Sequence, residues 1–214
     1  KIFNRDGSKA ENCINGARCF GKYIFDTGLL NKPELLVGVE NNTWKIGNPE
    51  KNMYAVEQEI SDPTLGAEML PALNSSGLHS LDLKGDNLDI GFVNLGNPHA
   101  IHFATGIKTM PLDKWGKNIQ ECKFFPNGVN LTLAEMTSPT EVNIRVFERG
   151  VGETLACGSG ACATVVKGVE LGYLQKEVTV NFKTGCLSIK YNSDNQVLTA
   201  TGPADFLEET SILI

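Results

Sequence analysis

Residues 148–162 read E-R-G-V-G-E-T-L-A-C-G-S-G-A-C, and the reading of this stretch decides the fold. The alternating run E-V-N-I-R-V-F at 141–147 enters it as a strand, and A-T-V-V-K-G-V-E-L at 163–171 leaves it with helical spacing. Between them, glycines surround Cys157 where the helix should begin. Strand, glycine-rich turn and a thiol at a helix start make one supersecondary unit.

Sliding the chain on itself by 144 residues finds a second unit. Ile2-Phe3 meets Val146-Phe147, Arg5 meets Arg149, Cys13 meets Cys157, and Gly16-Ala17 meets Gly160-Ala161. Gly28 and Leu30 meet Gly172 and Leu174. After Cys13, Ala17, Gly21 and Phe25 recur at helical spacing, with Phe20 and Ile24 beside them, and Gly28 is a stop signal. Strand signals follow each helix: 34–39, 43–46 and 53–60 after the first, and 178–183, 187–191 and 196–200 after the second. Between the units lie a connector rich in breakers (61–78), strands at 88–94, 99–104 and 129–133, and a short helix within 111–122. Strands dominate with two prominent helices, so the predicted class is α+β with a mostly antiparallel or mixed sheet. The second unit is preceded by strands of its own and the first by almost nothing. The chain is therefore expected to lack an N-terminal portion.

With 214 residues, 41% hydrophobic and 21% charged, the chain can bury a sizeable core. Its net charge of −6 and scattered 19 Lys and Arg argue against nucleic acid or an anionic membrane surface as partner. No apolar run approaches the roughly 18 residues of a membrane span. Six cysteines (13, 19, 122, 157, 162, 186) in a chain of this size need not be disulfide staples.

A cysteine at a helix N-terminus faces unpaired backbone N–H groups and the positive end of the macrodipole, which favours thiolate and can also hold a carboxylate. Duplication yields two facing sites about a pseudo-two-fold axis. That arrangement suits inversion at a carbon next to a carboxylate: one thiolate removes the Cα proton, a thiol on the other face returns one, and aimed N–H groups stabilise the carbanion. No cofactor or metal is required. The remaining groups have simpler roles. Cys122 and Cys186 read as small hydrophobes, Cys19 and Cys162 as helix packing residues, and His79 and His102 as structural. A zinc site from Cys13, Cys19, Cys157 and Cys162 has poor geometry, because helical positions six and five apart diverge by about 120° and 140°. A Cys13–Cys157 disulfide would be inactivation.

These residues resemble diaminopimelate epimerase along the whole chain, through F-N-R-D-G-S, C-x-N-G-A-R-C, G-N-P-H and E-R-G-V-G-E-T-x-A-C-G-S-G-A-C. The resemblance implies two similar domains, each a barrel-like sheet around a central helix, with the active site between them. With the 144-residue offset, these would be residues 1–57 and 58–202, with 203–214 returning to the first. It implies cofactor-independent interconversion of LL- and meso-2,6-diaminopimelate for lysine and peptidoglycan synthesis. Cys13 and Cys157 would be the acid/base pair. Asn4, Asn97, Asn130 and Arg149 would hold the distal end of the substrate. Ile14 and Asn15, with Gly158 and Ser159, would cradle the reacting carboxylate. His99 and Glu148 would flank and tune the thiols, Glu148 also touching substrate. The expected partners are a small amino-acid substrate and a second copy in a cytoplasmic homodimer, with neither nucleic acid nor membrane. Ile14 departs from the family's usual glycine, and its β-branched side chain would be crowded there or excluded by a positive φ. Two other readings use the same scaffold: a proline or hydroxyproline racemase-type enzyme, and a non-catalytic ligand-binding or redox-sensing relative.

Overall fold

A computed structural model describes Gly7, residues 12–39 and residues 42–206. Asn4 and the first strand of the repeat lie outside the described residues, as do 207–214 of the returning tail. In chain order the elements are α1 (Ile14–Asp26), β1 (Glu34–Val39), β2 (Asn42–Glu50), β3 (Met53–Glu59), β4 (His79–Leu83), β5 (Asp86–Asn94) and β6 (Pro98–Phe103). There follow α2 (Leu112–Gln120), β7 (Asn130–Ser138), β8 (Glu141–Glu148), β9 (Gly152–Thr154), α3 (Gly158–Glu170), β10 (Glu177–Phe182), β11 (Gly185–Asn192) and β12 (Val197–Pro203).

The repeat is visible in the backbone. Adding 144 to the bounds of α1 gives those of α3, and adding it to β3 gives β12. Each helix ends in the same way: Gly28 (φ 67°) and Gly172 (φ 73°) take the left-handed conformation just past Thr27 and Leu171. Only glycine enters that region without a Cβ penalty, so the predicted stop is a backbone requirement.

The strands form one mixed sheet in the order β1-β2-β3-β12-β11-β10-β8-β7-β6-β5-β4, with β9 paired to β8. The β6–β7 and β8–β10 pairs are parallel and the others antiparallel, as the mixed-sheet expectation required. α3 is buried on nearly all sides, and β5, β6, β7, β11 and β12 all touch it. Its sequence G-S-G-A-C-A-T-V-V suits that position, because small residues let strands close on a helix from several directions. α1 packs on β2, β3 and β12. At Gly21, an added Cβ would stand 2.6 Å from Ile46 Cγ2, so only glycine lets the helix settle on β2.

One core cluster joins both repeats, bringing Ile14, Trp44 and Ile46 together with Val93, Val146 and Leu187. A second lies under α2, where Leu112 and Ile119 pack with Leu88, Phe92 and Phe125. Each such side chain contributes about 1.5–3 kcal/mol by leaving water, before entropy is counted.

Four details differ from expectation. β4 falls between the connector at 61–78 and the strand expected at 88–94, where the sequence reading assigns no element; its five residues, paired to β5, carry too short an alternation to signal a strand alone. The three-residue β9, hydrogen-bonded to the end of β8, was read as turn. Cys186 is exposed, not a buried hydrophobe, and Cys19 points off α1 into solvent, not into packing. Cys162 is fully buried and Cys122 half-buried, as expected. Among the described residues, no helix is long and apolar enough to cross a membrane.

Candidate active site

Both cysteines of the repeat occupy helix N-caps. Cys13 caps α1, and the N–H of Gly16 donates to its Sγ at 3.3 Å. Cys157 caps α3 without a side-chain cap hydrogen bond, and its sulfur lies 3.5 Å from Ser159 Oγ. The first-turn glycine is a spatial need on α1, where an added Cβ at Gly16 would stand 3.1 Å from Cys13 Sγ.

The two thiols differ in surroundings. Cys13 is half-buried, whereas Cys157 is 4% exposed. Burial pushes the Cys157 thiol up to about 12, and the negative charge of Glu148 adds to that; Ser159 and the Gly160 N–H pull the other way. The sequence argument expected the helix N-terminus to favour thiolate here. That field acts, but loss of hydration outweighs it. Cys162, one turn further along α3, is also pushed up to about 12 by burial, with Arg18 opposing.

The N-termini of α1 and α3 meet. Asn15 Nδ2 donates to the carbonyl of Ala156 at 3.4 Å, tying α1 to the residue before Cys157. A Cβ built on Gly158 would stand 2.6 Å from Asn15 Oδ1 and 3.0 Å from Ile14 Cβ. Ile14 itself is 1% exposed, opens α1, and is absent from the positive-φ residues, so its β-branch is accommodated. Two positive dipole ends aimed at one place are unfavourable alone and favourable with an anion between them.

A second tie holds the residue before Cys13. Asn12 Nδ2 donates to the Leu95 carbonyl at 2.7 Å and approaches Gln58 Oε1 at 3.4 Å, which also accepts from Trp44 Nε1 at 3.1 Å. Sequence reasoning missed Asn12, Trp44 and Gln58. Their partners are far apart along the chain, and no local pattern marks them.

The remaining candidates form one network. His99 on β6 is fully buried, and its Nε2 donates to Asn97 Oδ1 at 3.0 Å. Burial, then the positive charge of Arg149, pushes the imidazole down to about 3, so the ring is neutral. Among the described residues, its Nδ1 is left as a buried acceptor without a partner. Across the parallel pairing, His99 faces Asn130. Asn130 Nδ2 donates to the Pro98 carbonyl at 3.3 Å, and its Oδ1 accepts from the Arg149 N–H at 2.9 Å. The Arg149 guanidinium donates to the Asn127 carbonyl at 3.1 Å and reaches a cavity of about 330 Å³ lined also by Asn94, Gly96, Pro98 and Gly128. Glu148, half-buried, accepts from Thr154 Oγ1, and its negative charge bears on Cys157. Thr154 is a further supporting residue that sequence reading passed over.

A family model described as diaminopimelate epimerase matches residues 91–207. A diaminopimelate epimerase of Teredinibacter turnerae is 38% identical over 206 residues, covering 95% of this chain and 74% of that protein. One of Acetivibrio thermocellus is 35% identical over 211 residues, covering 95% and 75%. Among solved structures, a Bacillus anthracis phenazine biosynthesis protein of the PhzF family shares the fold. Its TM-score is 0.65 at 15% identity, covering 97% of this chain and 78% of that one.

Proposed function

The chain belongs to the diaminopimelate epimerase family, a family of isomerases, and on that premise we propose that it interconverts LL- and meso-2,6-diaminopimelate by two-thiol proton transfer. The observation that carries this reading is the pair of cysteines capping two helices whose N-termini meet.

In one direction a Cys13 thiolate takes the Cα proton, and the C–H electron pair moves into the adjacent carboxylate. N–H groups at the starts of α1 and α3, with Asn15 and Ser159, hold that carboxylate and the charge it gains. Cys157, whose thiol is held protonated by burial, delivers its proton to the opposite face. The configuration inverts, and the sulfurs exchange protonation states. The reverse direction starts from the exchanged state. The neutral His99 and the carboxylate of Glu148 flank this exchange, while Asn97, Asn130 and Arg149, with Asn4, receive the distal end of the substrate. Guanidinium binding to carboxylate suits Arg149 to that end. The same proposal divides the chain at 57/58, with the tail returning to the first half. The contact of Arg18 Nε with the Pro203 carbonyl at 3.5 Å supports that return.

The test is incubation with LL-diaminopimelate in D2O under reducing conditions, following deuterium at one α-carbon by NMR. Exchange with formation of the meso isomer is the expected result, and its absence refutes the enzyme reading. Inversion of proline instead would overturn the substrate. Cys13→Ala and Cys157→Ala should each abolish epimerisation; full activity in either contradicts the two-thiol scheme.

A further inference from the structure

Ile14 is the first residue of α1 and Gly158 the first residue of α3, so they are pseudo-equivalent positions, 144 apart, that touch each other across the junction. They are as unlike in size as the contact permits. Ile14 is buried in the core cluster that joins the two repeats. Gly158 has no room for even a methyl group: a Cβ there would stand 3.0 Å from Ile14 Cβ and 3.3 Å from Ile14 Cγ2, besides 2.6 Å from Asn15 Oδ1. Separations under 3.0 Å do not occur between real side-chain atoms and backbone-held neighbours without movement. Asn15 cannot swing away freely either, because its amide is bonded to the Ala156 carbonyl.

Each of these residues is covalently next to a thiol-bearing residue. Any change in how closely they approach is therefore passed to Cys13 and Cys157 with little attenuation. We propose that Ile14 and Gly158 are a size-matched pair of positioning residues that sets the separation of the two thiols and the width of the carboxylate cradle between them. This rests on the two-thiol reading for its catalytic consequence, but not for its geometric one. The bulky member fills the junction from α1, the glycine yields from α3, and the sum of the two sizes is what the site specifies. Glycine at position 14 would reach the same closeness only if something else filled the space that Ile14 now occupies.

The test is a double-mutant cycle of Ile14→Gly, Gly158→Ala and the two combined, in the full chain. Two readouts are taken: Cα deuterium exchange as kcat and KM, and cross-linking of Cys13 to Cys157 by dibromobimane at alkaline pH, assigned by peptide mass spectrometry. Gly158→Ala should lower kcat on the order of tenfold to a hundredfold with little change in KM, as for a misplacement approaching 1 Å, and slow cross-linking. With glycine at 14, the 3.0 and 3.3 Å contacts that a Cβ at 158 would make with Ile14 disappear and only the 2.6 Å approach to Asn15 Oδ1 stays, so the combined variant should recover part of both losses. Additive losses overturn the proposal, because independent contacts add and a matched pair does not. A junction contact that is only structural would move the thermal midpoint and leave the cross-linking rate unchanged. Should Gly158→Ala fail to fold, Ile14→Gly decides alone: it adds no atom, and unchanged cross-linking in it overturns the proposal. If the wild type shows no exchange, the enzyme reading fails, while the cross-linking arm still decides the spacing.

Discussion

Cys157 should be a poor nucleophile at neutral pH, even though it sits at a helix N-terminus. Its thiol is pushed from 9.0 to about 12, chiefly by burial and then by Glu148. Only thiolate alkylates. At pH 8 an ordinary thiol of pKa 9.0 is about one-tenth ionised, and one of pKa 12 about one ten-thousandth, so protonation alone slows Cys157 about a thousandfold. The assay is iodoacetamide labelling of the folded protein, with peptide mass spectrometry comparing Cys157 with the exposed Cys186. Occlusion slows labelling in the same direction, but the pH dependence separates the two. A raised pKa makes the Cys157 rate keep climbing about tenfold per pH unit through pH 10, whereas occlusion of an unshifted thiol levels off near pH 9. A plateau there refutes the argument that burial outweighs the helix terminus. Glu148→Gln removes a negative charge that opposes ionisation, so it should lower the Cys157 midpoint and speed labelling; slower labelling would put the wrong sign on Glu148.

Three further outcomes follow from the same surroundings. His99 has a folded pKa pushed down to about 3 from 6.5, so its contribution to stability is present above 6.5 and is lost as pH falls toward 3, by up to about 1.4 kcal/mol per unit. Urea denaturation from pH 7 to 4 should show a shallower pH slope in His99→Asn than in the wild type. Cys162 has a folded pKa raised to about 12, so its contribution is present below 9 and is lost as pH rises toward 12. Cys162→Ala should accordingly flatten the alkaline fall in thermal midpoint between pH 9 and 11. Gly116→Ala should destabilise by about 1–3 kcal/mol, because the new methyl would stand 2.2 Å from the Phe147 ring where α2 lies on β8; an unchanged urea midpoint would show that α2 shifts freely.

What could be read from the sequence was what is local. A helix start needs a cap, small residues and a stop, all within about 15 neighbours, so α1 and α3 were legible in type, bounds and kinship. The hairpin strands after each helix carry alternation of their own and were equally plain. β4 and β9 were not, because what makes them strands is β5 and β8 beside them. The same divide runs through the site. Cys13, Cys157, Glu148 and Arg149 stand inside recognisable patterns, whereas Asn12 reaches Leu95 and Asn15 reaches Ala156 across 83 and 141 residues. No periodicity carries that information. The protonation of Cys157 was misjudged for the same reason: the helix dipole is a local property and burial is a tertiary one.

One asymmetry was available from the repeat alone. Subtracting 144 from Glu148 gives position 4, which is asparagine. Duplication thus preserved the thiol and the helix start in both halves but put a carboxylate at this position in only one of them. Glu148 reaches Cys157 and opposes its ionisation, while the half-buried Cys13 receives the Gly16 N–H. An inversion by two bases has no use for two identical sulfurs at rest, because two thiols cannot start it and two thiolates cannot finish it. On the proposed mechanism, the carboxylate of Glu148, for which the first unit has Asn4, assigns Cys157 the proton. Glu148→Gln should therefore affect epimerisation more in the direction that begins with protonated Cys157 than its loss as a mere substrate contact would. The check is to measure kcat and KM from the LL and meso isomers separately, because the overall equilibrium forces kcat/KM to change by the same factor in both directions. Equal changes in kcat from both sides would place Glu148 among the binding residues alone.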